Sequence, residues 1–311
     1  MKTNYSRFLS ASIALSVAAV VSVSSAADKP DVVHPGRSAV YSNLSDSSLE
    51  AVSLPKAMMD LIRAPGGAAP TAIWTMLEHG ERVECLECIP YVGQMLYDGN
   101  PKTREISAWW LRRRIFGVFG KGEVYEQTLN TVTDQSQSEV ARAYAANALG
   151  EFLEGAGIAP VSQALSTDSS VTVRLAAANA LIRLNNQGPN QELSSALGDS
   201  DEKVRLAALN GATHINVFTG VDKVARLISD PSALVRRRAA ETLGTMKLGD
   251  AVVGLIAITS PANEPDAGAR AAAVWALGQI ADMQALDAVL AAQNDVDSGV
   301  RDAATIALYR L

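Results

Sequence analysis

One short phrase, an arginine followed by an alanine-rich stretch that most often ends in leucine, recurs seven times along this 311-residue chain. The copies start at residues 103, 141, 173, 204, 235, 269 and 300, and their arginines are separated by 38, 32, 31, 31, 34 and 31 residues. A nearly constant period of this size is typical of stacked supersecondary units. It constrains the fold strongly, because each unit can bury its apolar side only against a neighbouring unit.

Each unit has the pattern of two helices joined by a turn. A helix with apolar residues at spacings of three and four precedes a turn rich in Asp, Ser, Pro and Gly, and the helix that carries the arginine follows. Glycines near the ends of three of these helices, Gly150, Gly244 and Gly278, are interpreted as helix stops. Apolar residues make up 48% and aromatic residues only 5% of the chain, which suits closely packed, alanine-lined helices.

This helix–turn–helix unit of about 31 residues resembles the short HEAT repeats of the phycobilisome-lyase type, over roughly residues 83–311. The resemblance implies an all-α fold, a right-handed α-solenoid of about seven HEAT-like helix pairs. Proteins of this type serve mostly as scaffolds, so the resemblance also implies a protein or peptide partner. The related enzyme deoxyhypusine hydroxylase holds iron through His-Glu pairs, and this sequence contains no His-Glu dipeptide. We therefore carry over neither that activity nor its metal.

The first 27 residues have the composition of an export signal. Lys2 and Arg7 precede an uncharged stretch, 8–27, whose small residues suit cleavage after Ala26 or Ala27. A membrane anchor is the alternative, since the uncharged stretch is about long enough to span a bilayer. Cleavage is favoured, and it predicts a periplasmic or secreted protein without a membrane span.

Three further segments follow the signal. Residues 28–46 are polar and lack a period, which predicts a flexible lead-in. Residues 47–82 form a helical N-terminal extension, and 83–311 form the repeat array. The net charge of −6 excludes the basic surface that general nucleic-acid binding needs.

The nine positions of the phrase fall into columns with different roles. Positions one, five, six and nine, which are Val173, Ala177, Ala178 and Leu181 in the third copy, are expected to face neighbouring helices. The arginine at position two is interpreted as a structural ladder, with anion binding as the alternative. It is expected to reach an Asp in the turn before it or carbonyl groups of the adjoining unit. The candidate acids are Asp168, Asp201, Asp230 and Asp297.

Positions three, seven, ten and eleven are expected to share the open face of the arginine-bearing helices. Position seven is Asn in three successive units, and polar residues interspersed with them would suit a peptide or another extended chain. A solvated face with an accidental run of Asn is the alternative. The predicted partner-binding residues are Trp109, Arg113, Asn147, Asn179, Arg183, Asn210, His214 and Trp275.

The segment 109–120, WWLRRRIFGVFG, combines four aromatic residues with three arginines. Such a set suits cation–π contacts or an anionic partner. The favoured alternative is a cap, since the first repeat lacks a full neighbour on one side and the 38-residue gap after it departs from the period.

Cys85 and Cys88 are the only cysteines. In an exported protein such a pair favours a structural disulfide, with free thiols and a redox pair as alternatives. No second Cys pair or nearby His completes a zinc site, and no His follows Cys88 for haem attachment. The sequence predicts no metal and no cofactor.

Known catalytic motifs are absent from the sequence: it has no phosphate-binding glycine loop, no G-x-S-x-G and no His-Glu-x-x-His. The sequence therefore favours a non-catalytic interaction scaffold in the cell envelope. The alternatives are a redox-linked accessory or oxidoreductase that uses Cys85 and Cys88, and a purely architectural part of an envelope complex.

Overall fold

A computed structural model describes residues 69–82, 88–115, 122–185, 191–215 and 218–311. In that part of the chain there are fifteen helices and no strand. The predicted signal, the lead-in and residues 47–68 of the predicted helical extension lie outside the described residues. None of the described helices is both long and apolar enough to cross a bilayer.

The helices form one N-terminal element and seven pairs. The N-terminal helix is α1 (Pro70–Arg82). The pairs are α2 (Ile89–Met95) with α3 (Pro101–Ile115), α4 (Glu123–Thr133) with α5 (Glu139–Phe152), α6 (Ile158–Thr167) with α7 (Val171–Leu184), α8 (Gln191–Ser195) with α9 (Glu202–His214), α10 (Val221–Arg226) with α11 (Ala233–Thr245), α12 (Val252–Ala257) with α13 (Ala267–Ile280), and α14 (Leu286–Ala292) with α15 (Ser298–Leu308). The second member of each pair carries the arginine and is called the inner helix; the first is the outer helix.

Each inner helix packs on its own outer helix and on the inner helices of neighbouring units, which makes the chain an all-α solenoid. The predicted core columns are confirmed: Val173, Ala177, Ala178 and Leu181 are all at most 1% exposed. Position eight is also buried in every unit, from Trp110 to the small residues of later copies. Small side chains at five, six and eight let adjacent helices approach each other closely.

The three glycines at position ten do not end their helices, so the sequence interpretation as stops was wrong. Helix α5 continues past Gly150 to Phe152, and the residue in the left-handed conformation after it is Leu153, with φ of 56°. The glycines are needed for packing instead. A Cβ at Gly150, Gly244 or Gly278 would stand 2.8, 2.7 or 2.6 Å from the Cα of an alanine in the next inner helix. Those alanines are Ala180, Ala276 and Ala307.

The packing of neighbouring inner helices therefore depends on position ten. Where it is glycine, the backbones of α5 and α7, of α11 and α13, and of α13 and α15 come into close approach. Between α7 and α9 the glycine lies on the other helix. Position ten of α7 is Ile182, and the small residue that faces it is Gly211, at position eight of α9. A Cβ at Gly211 would stand 3.0 Å from Cγ1 of Ile182.

Five consecutive arginines of the phrase each bind a carboxylate of the next unit through two parallel hydrogen bonds, a strong geometry for this ion pair. The donors and acceptors, with Nε-to-oxygen distances, are Arg142 to Asp168 (2.7 Å), Arg174 to Asp199 (2.8 Å), Arg205 to Asp230 (2.8 Å), Arg236 to Glu264 (2.5 Å) and Arg270 to Asp295 (2.9 Å). In each pair Nη2 donates to the second carboxylate oxygen.

The same arginines also hold the turn of their own unit. Nη1 of Arg205 donates to the backbone carbonyls of Asp199 and Ser200, at 2.8 and 3.1 Å, and the Asp199 carboxylate accepts the N–H of Asp201 at 2.9 Å. Each arginine therefore links two successive turns. This arrangement confirms the structural interpretation of the arginine column and is called the arginine ladder below.

The sequence prediction of which acids join the ladder was partly wrong. The carboxylate comes from the turn between the two helices of the next unit, not from the turn before the arginine's own helix. Asp201 and Asp297 instead cap helices, accepting the N–H of Lys203 at 2.8 Å and of Val300 at 3.2 Å. Such capping satisfies N–H groups in the first turn of a helix, so these two acids contribute locally.

The arginines at the two ends of the array differ from the five in the middle. Arg104 binds the carbonyls of its own turn, at 2.6 Å for Asp98, and its guanidinium lies 3.8 Å from the centre of the Tyr144 ring. Arg301 binds the carbonyls of Asp295 and Val296 at 2.7 and 3.0 Å. Its side chain pairs with no carboxylate within the described residues.

Helix α1 covers the N-terminal end of the inner layer. The ring of Trp74 stacks on that of Trp109 with centroids 5.1 Å apart, and the indole N–H of Trp110 donates to the Leu77 carbonyl at 3.0 Å. These contacts support the cap interpretation for Trp109 and Trp110. The remainder of that aromatic segment, 116–120, lies outside the described residues.

The ladder predicts a loss of stability in acid. The pKa values of Asp168, Asp199, Glu264 and Asp295 are lowered. For the first three, burial raises the pKa, but the hydrogen bonds from arginine and backbone N–H outweigh it; for Asp295 the Arg270 hydrogen bonds are the largest influence. A carboxylate with a lowered folded-state pKa stabilises the protein above its ordinary pKa and loses that contribution as pH falls through the folded value.

We therefore expect the urea midpoint to be nearly constant from about pH 7 to 5 and to fall steadily below about pH 4.5, where carboxylates in the unfolded chain take up protons first. Far-UV circular dichroism during urea titrations at several pH values measures the midpoint. A midpoint that stays constant down to about pH 3 would contradict a stabilising ladder.

Candidate functional site

The open surface of the inner helices follows positions three, seven and eleven of the phrase, as helical spacing predicts. The assignment of position ten to it was wrong for the three glycines, which are buried against the next inner helix, whereas Ile182 at position ten of α7 does face the open side. Position four belongs partly to this surface, as Tyr144 and Arg238 show. We call the whole stripe the inner face.

The first depression on the inner face lies between α3, α5, α7 and α9 and has a volume of about 480 Å³. We call it the N-terminal groove. The predicted residues Asn147, Asn179, Arg183 and Asn210 all line it, so the structure brings half of the predicted partner-binding set together. The sequence did not single out Tyr144, which also lines it, because position four is an apolar residue in most other units, as expected of a core column.

The asparagine amides differ in how they are engaged. Asn147 and Asn179 are exposed, and neither side chain forms a hydrogen bond within the described part of the chain. The side-chain oxygen Oδ1 of Asn210 accepts a hydrogen bond from Nη2 of Arg238 at 3.2 Å. An amide side chain offers both donors and an acceptor, which is also what a peptide backbone offers. Two unengaged amides on adjacent helices are therefore suited to pairing with an extended main chain.

One ion pair lies at the wall of the N-terminal groove. Arg183 on α7 binds Glu151 on α5, and the Glu151 side chain is 23% exposed. Burial raises the pKa of Glu151, and the negative charge of Glu105 adds to that rise, whereas Arg183 opposes it. The pair leaves the groove without excess charge at this point, and its geometry depends on the approach of α5 to α7.

A second depression, the C-terminal groove, lies between α11, α13 and α15 and has a volume of about 700 Å³. The predicted residue Trp275 lines it and is half-buried. Three charged residues of α11, Arg237, Arg238 and Glu241, stand beside it. Positions three and seven of the pattern assigned Arg237 and Glu241 to the face, although Arg237 was not named as a binding residue, and Arg238 at position four was not assigned to it.

The remaining predicted residues stand outside both grooves. Trp109 is stacked on Trp74, and Arg113 lies over the Trp109 ring with its guanidinium carbon 5.3 Å from the centroid. His214 is exposed at the end of α9, and its Nδ1 lies 2.7 Å from the backbone carbonyl oxygen of Asn210. Binding through these three residues stays a prediction.

Cys88 is fully buried at the start of α2. Cys85 lies outside the described residues, so the disulfide stays a prediction. Burial of Cys88 gives no support to the redox alternative, which needs a sulfur that reaches a substrate. Within the part of the chain that the structure describes, no three His, Cys, Asp or Glu side chains are grouped to hold a metal ion.

Comparison with known proteins supports the repeat assignment. A family model for HEAT repeats matches residues 126–209 and 190–261, and one for the PBS lyase HEAT-like repeat matches 269–295. A search of curated protein sequences gave no match.

Several solved structures are similar in fold. The Escherichia coli protein YibA is 17% identical, covers 86% of this chain and 98% of its own, and has a TM-score of 0.54. A chain of the complex of Kap95p with RanGDP is 15% identical, with 85% of this chain and 37% of that chain covered, and a TM-score of 0.53. A chain of the CpcE–CpcF complex of phycocyanin lyase from a Nostoc species is 17% identical. The match covers 72% of this chain and 94% of that chain, and its TM-score is 0.39. At such identities the likeness to YibA and Kap95p shows the helical-solenoid fold alone.

Proposed function

Because the chain belongs to the HEAT-repeat proteins, we propose that it is a non-catalytic scaffold that binds an extended segment of a protein partner along its inner face. The single observation that carries the proposal is the pair of exposed, unengaged amides of Asn147 and Asn179 in the N-terminal groove. Kap95p, which shares the solenoid fold, binds RanGDP, and this supports a protein partner by analogy of fold.

The size of the groove fits a peptide better than a small rigid ligand. Inner helices of neighbouring units stand about 8–10 Å apart, so two steps along the array span roughly 20 Å. An extended chain rises about 3.3 Å per residue, and about six residues would cover α5, α7 and α9. Main-chain hydrogen bonds to Asn147 and Asn179 would fix such a segment, and the half-buried Tyr144 would contact its side chains.

Replacing Asn147 and Asn179 together with Ala is expected to weaken peptide binding at least tenfold without lowering the melting temperature, because both side chains are exposed. A displayed library of random peptides of about twelve residues, selected on the immobilised protein, supplies the ligand. Fluorescence anisotropy then measures the dissociation constant of an enriched peptide.

The matched control changes two exposed asparagines elsewhere, Asn130 on the outer helix α4 and Asn294 after α14, to Ala. This variant should bind like the wild type. Equal binding by the Asn147/Asn179 variant, or a library from which nothing is enriched, would contradict the proposed function.

We also propose that the protein acts in the cell envelope after removal of its signal. The support is the charged start at Lys2 and Arg7 followed by the uncharged stretch 8–27 with its small-residue end. Mass spectrometry of the mature protein from an envelope fraction should find an N-terminus at Ala27 or Asp28. An intact N-terminus in a membrane fraction would favour the anchor instead.

A further inference from the structure

The chemistry of the inner face changes between its two halves. The N-terminal groove offers neutral amides and balanced charges: its lining holds two arginines, Arg104 and Arg183, and two glutamates, Glu105 and Glu151. The C-terminal groove offers two guanidinium groups, Arg237 and Arg238, around one carboxylate, Glu241. A ligand that lies along the whole face therefore meets amides and balanced charges first and the two adjacent arginines of α11 afterwards.

The arginines of the C-terminal groove retain free donors. Glu241 accepts from Nε of Arg237 at 3.0 Å and from Nη1 of Arg238 at 3.2 Å. The Arg237 side chain is 54% exposed, and its two terminal nitrogens donate no hydrogen bond within the described residues. Two parallel N–H groups on one guanidinium match the two oxygens of a carboxylate.

The other negative charge at this groove is already engaged. The carboxylate of Asp297 accepts the N–H of Val300 at 3.2 Å and caps the N-terminus of α15. The partial positive charge of that helix end offsets it. Trp275 supplies an apolar surface next to the arginines: its ring stands against Gly244, where an added Cβ would be 2.9 Å from Cζ3. An acidic residue adjoining an apolar residue fits this combination.

The two grooves are connected through one side chain. Nη2 of Arg238 donates to the Asn210 side chain at 3.2 Å while Nη1 binds Glu241. Asn210 lines the N-terminal groove at the end nearer α11, and Glu241 lines the C-terminal groove. From Asn147 to Glu241 there are three helix-to-helix steps, roughly 25–30 Å, which an extended segment of about nine residues would span.

We propose that the partner segment is acidic at one end, with its main chain on the asparagines of the N-terminal groove and an Asp or Glu side chain on Arg237 beside Trp275. This inference rests on the proposed function and names the class of segment that the inner face selects. The two arginines fix the direction of the bound segment, since a basic end would be repelled by them and a neutral end would leave the terminal nitrogens of Arg237 without a carboxylate.

Peptide selection on variants tests the proposal. The wild type should enrich peptides of about twelve residues that carry Asp or Glu near one end. Arg237→Glu should remove that enrichment and weaken an enriched acidic peptide at least tenfold, and Arg237→Gln should weaken it less. The matched control is Arg226→Glu on the outer helix α10, where the side chain is 76% exposed and paired with Asp222. It should leave selection unchanged.

A charge exchange separates binding from folding. A peptide whose acidic residue is replaced by Lys should bind wild type weakly and regain affinity for Arg237→Glu, a rescue that a misfolded variant would not show. Peptides that depend on Asn147 and Asn179 but show no acidic preference would overturn this inference and leave the proposed function standing. Selection that yields no peptide, or none that depends on the asparagines, would overturn both.

Discussion

Arg270→Ala should lower the free energy of unfolding by about 3–5 kcal/mol, the cost of removing one partner from a buried ion pair. The Arg270 and Asp295 side chains are 4% and 1% exposed, so solvent cannot compensate the isolated carboxylate. The variant also loses the bonds to the carbonyls of Glu264 and Pro265, at 3.0 and 3.1 Å. Urea denaturation followed by far-UV circular dichroism measures the change.

Two comparisons make this expectation specific. Arg226→Ala breaks an exposed pair with Asp222, so it should cost less than about 1 kcal/mol. The double variant Arg270→Met with Asp295→Leu removes both charges and should recover part of the stability, because no ion is left buried, although the bonds to the Glu264 and Pro265 carbonyls stay lost. A cost for Arg270→Ala as small as that for Arg226→Ala would mean that the ladder contributes little.

Gly278→Leu should destabilise the protein by roughly 2–3 kcal/mol, although leucine favours the helical conformation by about 1 kcal/mol over glycine. An added Cβ would stand 2.6 Å from the Cα of Ala307, and a backbone cannot move aside as a flexible side chain can. Helix α15 must therefore separate from α13. Gly278→Ala should also destabilise the protein, by a smaller amount.

The control for this prediction is Gly249→Leu, since no atom lies within 4 Å of a Cβ built at Gly249. Thermal melts of the three variants and the wild type give the order of their melting temperatures. If Gly278→Leu melts with the wild type, the close approach of α13 and α15 does not limit the packing.

The fold was predictable from the period, because a residue type that recurs at the same position in every unit contributes to the packing between units, which all units have in common. Val173 and Leu181 were assigned to the core from columns alone, and both are buried. The partner of each arginine was harder to predict. Turns carry two acids, such as Asp199 and Asp201, and only the three-dimensional stacking decides which of them faces the preceding unit.

Glycine at position ten shows a second limit of the sequence. A glycine near a helix end has two meanings, a stop or a close contact, and the difference depends on the distance to another helix. For Gly150 the contact with Ala180 decides it. The site was predictable where one column varied in chemistry, as with Asn179. The column of Arg237 assigned it to the open face, but its role could not be predicted, because that role depends on Glu241 and on Trp275 of α13.

The ladder has a consequence for how such a chain can change length. Since every interior arginine takes its acid from the following turn at nearly the same spacing, removal of a whole 31-residue block, such as 175–205, leaves Arg174 opposite Asp230 in the place of Arg205. Insertion of a block works in the same way. Duplication or loss of complete modules is therefore structurally neutral for the ladder, while insertion of a few residues is not, and evolution can adjust the length of the inner face in steps of one module.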